Sequence, residues 1–250
     1  MRKLILVFTA VVLTASGFAQ KTADLGIWGG SSTYWGDIKG VPPMQTFNLN
    51  FGAFFRYNFN TRVAMRAQIL SGSFSAVGNV EDIGFEFAKN AQDISLMMEI
   101  NYLKYLLGGK KTPFTPYILG GVGIMYFPYE LTITELTALQ NINPEYPVRN
   151  DVDESVATMV IPLGFGFKFS IGEKFGVGIE YQIRKMFSDK LDNVDDPLAH
   201  EYTNSAGGTE LIKYSDFWHN NDWPGYLGVN LTFKINLESK PCPAYDKKYW

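Results

Sequence analysis

Residues 47–58 read FNLNFGAFFRYN, and apolar side chains occupy every second position. One face of this segment carries Phe47, Leu49, Phe51, Ala53, Phe55 and Tyr57, and the other carries Asn48, Asn50, Gly52, Phe54, Arg56 and Asn58. This period of two predicts a β-strand, because successive side chains of a strand point to opposite faces.

The same alternation recurs along the chain. It is regular in residues 62–69, 94–102, 161–169, 175–184 and 227–237. Two glycine-rich segments, 25–37 and 116–127, are less regular, and in the first the outward face is not evident. Together these segments predict eight strands, an even number that closes a minimal antiparallel barrel.

The connections between these strands alternate in length. Short connections are expected at residues 58–61, 108–113 and 172–174, and longer polar ones at 36–46, 74–92, 131–155 and 188–222. Outer-membrane barrels have short periplasmic turns and long external loops. We therefore expect an eight-stranded transmembrane β-barrel with both chain ends on the periplasmic side.

Aromatic residues lie near the predicted strand ends, as the two interfaces of a bilayer favour. A soluble β-sandwich would also bury one face of each strand, but the longer segments exceed the usual strand length of about 5–6 residues. The aromatic girdle is expected to contain Tyr34, Trp35, Tyr126, Phe127, Trp223 and Tyr226 near the long loops, and Tyr57, Phe59, Tyr105, Phe114 and Tyr117 near the short turns.

The first 19 residues resemble a cleavable signal peptide. Arg2 and Lys3 precede an apolar run at residues 4–13, and Gly17-Phe18-Ala19 forms an A-x-A-like cleavage site. The run is too short to span a bilayer as a helix, which takes roughly 20 residues. We expect a signal peptide at 1–19, a barrel at 20–237 and a periplasmic tail at 238–250.

The net charge and the cysteine count argue against a nucleic-acid-binding protein and against a disulfide-stabilised one. The formal net charge of −3 gives no reason to expect a nucleic-acid partner. The single cysteine excludes an internal disulfide framework.

The polar faces of the strands place several charges inside the predicted barrel. Because an unpaired buried charge is costly, ion pairs that fill the narrow lumen are expected, and a path for protons or ions is the functional alternative. These charged residues are Arg56, Arg66, Glu99, Lys168, Glu180, Arg184 and Lys234.

The sequence contains few candidate catalytic residues. Both histidines, His200 and His219, lie in the last long loop, where Ser215, Asp216 and Asp222 are neighbours of His219 in sequence. Such neighbours arise by chance in polar loops, and no metal-ligand spacing occurs. We predict no catalytic, cofactor or metal site and a protein that is not an enzyme, with a lipid-modifying enzyme kept as an alternative.

The tail after the last strand carries the predicted partner-binding residues. Its cysteine is held between two prolines in an oxidising compartment, which suggests an intermolecular disulfide or a free thiol. A buried inert thiol is the alternative. The candidate residues are Cys242, Pro243, Tyr245, Tyr249 and Trp250.

Three stretches resemble the PorG-like outer-membrane barrels of the Bacteroidetes type IX secretion system. They are residues 25–37 (LGIWGGSSTYWGD), residues 115–123 (TPYILGGVG) and the pair Cys242-Pro243. The first is similar to the G-G-x-x-x-Y-x-G-D start of those barrels. The likeness extends over most of the mature chain.

This resemblance implies an outer-membrane component associated with a periplasmic ring of PorK-like lipoprotein and PorN-like protein. Such a component supports protein export and, in gliding species, motility. Tail contact with the ring would then be the role of Cys242. A free-standing barrel with external binding loops is the alternative function.

Overall fold

The computed structural model describes residues 22–34, 48–80, 83–109, 112–130, 137, 140–141, 144, 153–188, 190–192, 200–203, 208–212 and 222–236. Among these residues no helix is both long and apolar enough to cross a membrane. The predicted signal peptide and tail lie outside the described residues.

Ten strands are present in this described part of the chain. Eight of them form a closed antiparallel barrel, and β8 and β9 form a separate two-stranded hairpin between β7 and β10. The strands are β1 Thr22–Thr33, β2 Asn48–Asn58, β3 Val63–Val80, β4 Ile83–Asn101, β5 Phe114–Glu130, β6 Asp153–Ile171, β7 Phe175–Met186, β8 His200–Thr203, β9 Thr209–Ile212 and β10 Gly225–Asn236.

The first and last strands of the barrel close the sheet. Thr22 lies opposite Asn58 on β2 and opposite Asn236 on β10. The described start and end of the barrel therefore lie at one rim, together with the connections at 59–62, 102–113 and 172–174. This is the end predicted to be periplasmic, and the opposite end is the external one.

The alternation read from the sequence decides which side chains face outward. Leu231 is 52% exposed, whereas its neighbour Thr232 is buried at 6%. On β1, whose outward face was not evident from the alternation, Ile27 is exposed and Trp28 is buried in the lumen. A continuous apolar outer surface with a polar interior is typical of a barrel that spans a bilayer, so the predicted fold class is confirmed.

The connection predicted at residues 74–92 is wrong. Strands β3 and β4 run through it as one hairpin, paired from Val63–Ile100 up to Val80–Ile83. At 18 and 19 residues they exceed the 9–11 residues that a tilted strand needs to cross a bilayer. They therefore continue beyond the membrane on the external side, as β5 and β6 also do.

The amphipathic pattern inverts where these strands leave the membrane. On β4 the outward residues change from Leu96 and Ile94 to the polar Gln92. The inward residues change from the charged Asp93 to the apolar Phe87. Water replaces lipid outside the strand, so polar side chains become the stable choice there and apolar ones move inside.

Other predicted connections are also revised. Strand β4 ends at Asn101 and β5 begins at Phe114, so the turn expected at 108–113 spans 102–113. Strand β6 begins at Asp153, inside the predicted loop 131–155. The last long connection contains the β8–β9 hairpin.

The aromatic girdle is only partly as predicted. Tyr126 and Phe114 are each 45% exposed and lie on the lipid-facing surface. Tyr57, Phe59 and Trp223 are half-buried, and Trp35 lies outside the described residues. The remaining members point into the barrel, because inward positions also take aromatic side chains where glycines leave room: Tyr34, Tyr105, Tyr117, Phe127 and Tyr226.

Candidate functional site: the ion-paired lumen

The periplasmic half of the lumen contains equal numbers of opposite charges joined in ion pairs. We call these eight side chains the ionic layer. Each is at most 5% exposed, and each contacts at least one opposite charge within 3.4 Å. The ionic layer consists of Arg56, Arg66, Lys168 and Arg184 with Asp24, Asp93, Glu99 and Glu180.

Glu99 on β4 is shared by three cations. Its Oε2 lies 2.7 Å from Arg56 Nε, and its Oε1 lies 3.2 Å from Arg66 Nη1. Lys168 donates a further short hydrogen bond from Nζ to Glu99. Arg56 also contacts Asp24 Oδ2 at 3.4 Å, which supplies a second anion to this group.

Glu180 on β7 accepts hydrogen bonds from several directions. Arg66 binds it in a two-pronged arrangement, with Nη1 and Nη2 each 2.8 Å from a carboxylate oxygen. Gln182 Nε2 donates at 2.5 Å and Asn230 Nδ2 at 3.2 Å, and the Tyr117 hydroxyl donates as well. The complete set of partners offsets the loss of hydration that burial of a carboxylate costs.

A separate pair lies nearer the middle of the barrel. Arg184 Nε donates to Asp93 Oδ2 at 2.9 Å, and Arg184 Nη2 donates to Gln182 Oε1 at 2.8 Å. Gln182 also donates to Glu180, so this amide connects the two parts of the ionic layer.

The aromatic ring of Phe54 packs against two arginines of the ionic layer. The Arg66 guanidinium lies 3.9 Å from the centroid of Phe54 and that of Arg56 lies 5.0 Å away, both within the range of cation–π attraction. Gly26 on β1 makes space for this ring, because a Cβ atom there would lie 2.1 Å from it.

The lumen has little free space at this level. A cavity of about 10 Å³ lies between Arg56, Lys168, Tyr105, Asn230 and Thr232. That volume accommodates roughly one water molecule. The ionic layer is therefore a packed interior and not the wall of a channel.

The turn 102–113 folds into the periplasmic mouth. Tyr105 and Leu107 are buried there, and Ser170 donates a 3.0 Å hydrogen bond to the Tyr105 hydroxyl. Burial raises the pKa of that hydroxyl above its ordinary value, so it remains protonated. Gly108 has a φ of 79°, in the left-handed region that favours glycine, and packs on Glu173 of the next turn.

The external half of the interior is an apolar core, which we call the apolar layer. It packs Trp28 and Phe74 edge-on against Tyr226, with centroid distances of 6.0 Å and 5.3 Å. The Tyr34 hydroxyl reaches Asp192, which ties β1 to the last connection. The buried members are Trp28, Tyr34, Leu70, Phe74, Ala76, Phe87, Ala91, Met125, Phe127, Val160, Met186, Leu191 and Tyr226.

Six of the seven charged residues expected in the lumen lie together in the ionic layer. Lys234 does not join them, since it is only half-buried at the periplasmic end of β10. Asp93 was missed although alternation places it on the same face of β4 as Glu99, and Asp24 was missed because the outward face of β1 was not evident from the alternation. Asp24 lies opposite Arg56 in the sheet.

The other predicted sites fall largely outside the described residues. These include all five tail residues, from Cys242 to Trp250, and His219 with Ser215 and Asp216. His200 begins the short strand β8, and the buried Asp222 accepts a 3.1 Å hydrogen bond from the Leu191 backbone amide. Within the described part of the chain no group of three His, Cys, Asp or Glu side chains could hold a metal ion.

The sequence profile of a known family, described as "Domain of unknown function (DUF6089)", matches residues 2–245. The chain belongs to this family. No curated protein matches the DUF6089 chain.

Several solved structures share the architecture of this DUF6089 barrel at low identity. Ail of Yersinia pestis is 11% identical, covers 86% of this chain and 99% of its own, and superposes with a TM-score of 0.46. Neisserial surface protein A is 7% identical over 86% of this chain and 97% of its own, with a TM-score of 0.47. OprG of Pseudomonas aeruginosa is 13% identical over 87% and 98%, with a TM-score of 0.46.

Proposed function

We propose that this DUF6089 barrel is a non-enzymatic outer-membrane component of the type IX protein secretion machinery, active also in gliding where the host glides. In this role it anchors a periplasmic ring, built of PorK-like lipoprotein and PorN-like protein, to the outer membrane. The protein then works by docking partners at its periplasmic face.

The packed lumen is the observation that supports a docking role. Arg66 is buried in the barrel and paired with both Glu99 and Glu180, and the cavity nearby holds only about one water. A barrel filled in this way offers its rims and connections to partners.

The motifs that carry the resemblance divide into two kinds. Thr115 and Tyr117 are buried structural residues, since Thr115 accepts a hydrogen bond from the Leu103 amide and Tyr117 donates to Glu180. These motif residues account for the barrel itself. The support for a secretion role comes from the resemblance at Gly36-Asp37 and at the Cys-Pro tail, both outside the described residues.

The position of the tail suits contact with a membrane-anchored partner. Strand β10 ends at Asn236 on the periplasmic rim, and Cys242 follows six residues later. At 3.3–3.6 Å per residue the thiol lies at most about 20–22 Å from that rim. Confinement of both proteins to the membrane surface raises their effective concentration, which favours an intermolecular disulfide.

The test is affinity purification of the tagged protein from cell envelopes in mild detergent without reductant. Wild type should retain ring proteins and show a higher band on a non-reducing gel that collapses on reduction. Cys242→Ser should lose that band, and deletion of residues 240–250 should lose the ring and secretion while the barrel stays inserted. Ser239→Ala is the matched tail control and should behave as wild type.

One result would contradict this function, and a second would contradict only the disulfide. Recovery of the barrel without periplasmic partners, with secretion intact in a deletion strain, would favour a free-standing barrel that binds through its external loops. A monomeric band together with full function of Cys242→Ser would remove the covalent tether and leave only a noncovalent anchor.

A further inference from the structure

The two ends of the barrel carry opposite charge. The connections at the periplasmic end, residues 59–62, 102–113 and 172–174, contain five basic residues and one acidic residue. The segments that join strands at the external end, residues 34–47, 81–82, 131–152 and 187–224, contain 14 acidic and four basic residues. The ionic layer between them contains equal numbers of opposite charges, so the charge difference arises in these connecting segments.

Three of the periplasmic cations are exposed and described, and we call them the basic rim: Arg62, Lys104 and Lys174. Within the described residues none of the three forms an ion pair, and Glu173 is the one acidic residue of these turns. They lie on three different turns, between β2 and β3, β4 and β5, and β6 and β7. The charge is therefore distributed around the mouth of the barrel.

The basic rim borders the lipid-facing surface. Lys174 directly precedes Phe175, which is 59% exposed, and Lys104 follows Tyr102, which is 74% exposed. Arg62 donates a 2.8 Å hydrogen bond from Nη1 to the Tyr102 backbone carbonyl, which links the first two of these turns. Exposed aromatic rings of this kind lie at the headgroup level of a bilayer.

We propose that the basic rim binds the phosphate groups of anionic glycerophospholipids in the inner leaflet of the outer membrane. Cations at headgroup depth attract anionic lipid, and long basic side chains reach the headgroups while their stems stay on apolar surface. A ring of separate charges suits several small ligands better than one flat protein surface. This inference is independent of the ring-anchoring role.

The experiment compares lipid retention by three forms of the full mature chain. Each is reconstituted in nanodiscs of mixed phosphatidylglycerol and phosphatidylcholine, released, and analysed by native mass spectrometry for bound lipid. The test variant is Arg62→Gln/Lys104→Gln/Lys174→Gln. The matched control removes three exposed charges at the external end: Glu86→Gln, Glu130→Gln and Glu154→Gln.

Wild type and the control should retain phosphatidylglycerol in preference to phosphatidylcholine. The basic-rim variant should lose at least about fivefold of that preference, and added salt should weaken it in wild type. Heat-modifiable migration on gels checks that each barrel is closed. Equal retention of the two lipids by wild type, or an unchanged preference in the variant, would overturn the inference. A variant that keeps its lipid preference but loses co-purified acidic proteins would assign the rim to a protein partner instead.

Discussion

The periplasmic and external halves of this barrel fill their interiors with opposite kinds of side chain. The periplasmic half fills the lumen with the ionic layer and faces lipid with apolar side chains. The external half fills it mainly with the apolar layer, and its outer surface becomes polar where β3 to β6 extend beyond the membrane. Strands β1, β3, β4, β6 and β7 contribute side chains to both layers. The medium outside each half of the barrel, lipid or water, therefore determines whether charged or apolar side chains fill its interior.

The two interiors also differ in how much stability a single substitution should remove. In the ionic layer each charge depends on its partners, because one missing group leaves others buried and unpaired. In the apolar layer each side chain contributes packing that neighbours can partly replace.

Removal of the shared carboxylate should give the largest effect. Glu99→Gln keeps the shape of the side chain but leaves Arg56, Arg66 and Lys168 without their common anion. The free energy of unfolding should fall toward the upper end of roughly 3–5 kcal/mol. Urea titration of the protein in liposomes, followed by tryptophan fluorescence, measures this. Glu154→Gln, an exposed carboxylate, is the control and should change stability by under about 0.5 kcal/mol.

A cavity in the apolar layer should cost less than the lost carboxylate. Phe74→Ala removes a ring that is 1% exposed and packs on Tyr226, so about 3 kcal/mol of stability should be lost. Val77→Ala on the outward side of the same strand, at a residue 60% exposed, is the control. Equal effects of the two variants would show that the external half lacks a packed core.

The change of the outer surface from apolar to polar can be tested by placing arginine at two levels of the barrel. Leu231→Arg places a charge on the lipid-facing belt and should cost about 2–4 kcal/mol. Ala88→Arg places the same charge on the outward face of the external half of β4, where water solvates it, and should change stability by under about 0.5 kcal/mol. If both substitutions cost the same, the membrane boundary lies elsewhere on β4.

Much of this fold could be predicted from the sequence because the periodicity of two is a local property. Leu231 faces out and Thr232 faces in, as alternation in residues 227–237 indicates. The same reasoning placed Arg56, Arg66, Glu99, Lys168, Glu180 and Arg184 in the lumen. The identity of each partner was not predictable, because Arg66 and Glu180 are 114 positions apart in the chain and meet only across the closed barrel.

The extension of β3 and β4 was missed for a physical reason. Alternation predicts a strand only if each face keeps one environment along its length, so the polar outward residues Asn90 and Gln92 indicate a loop. In the barrel these residues face water while Phe74 and Phe87 face the interior, so the pairing continues. The polarity of a face predicts its orientation only when the surrounding medium is known.

Local sequence was sufficient to predict the strand type, the orientation of most membrane-spanning side chains, and short turns at 58–61 and 172–174. These follow from local alternation and from residues adjacent in the chain. Which charges pair is set only by the tertiary structure. The same is true of the position of Tyr105 in the periplasmic mouth and of the aromatic rings in the lumen, such as Phe127 and Tyr226. Those outcomes depend on closure of the sheet, which brings strands distant in sequence to within hydrogen-bonding distance across a narrow interior.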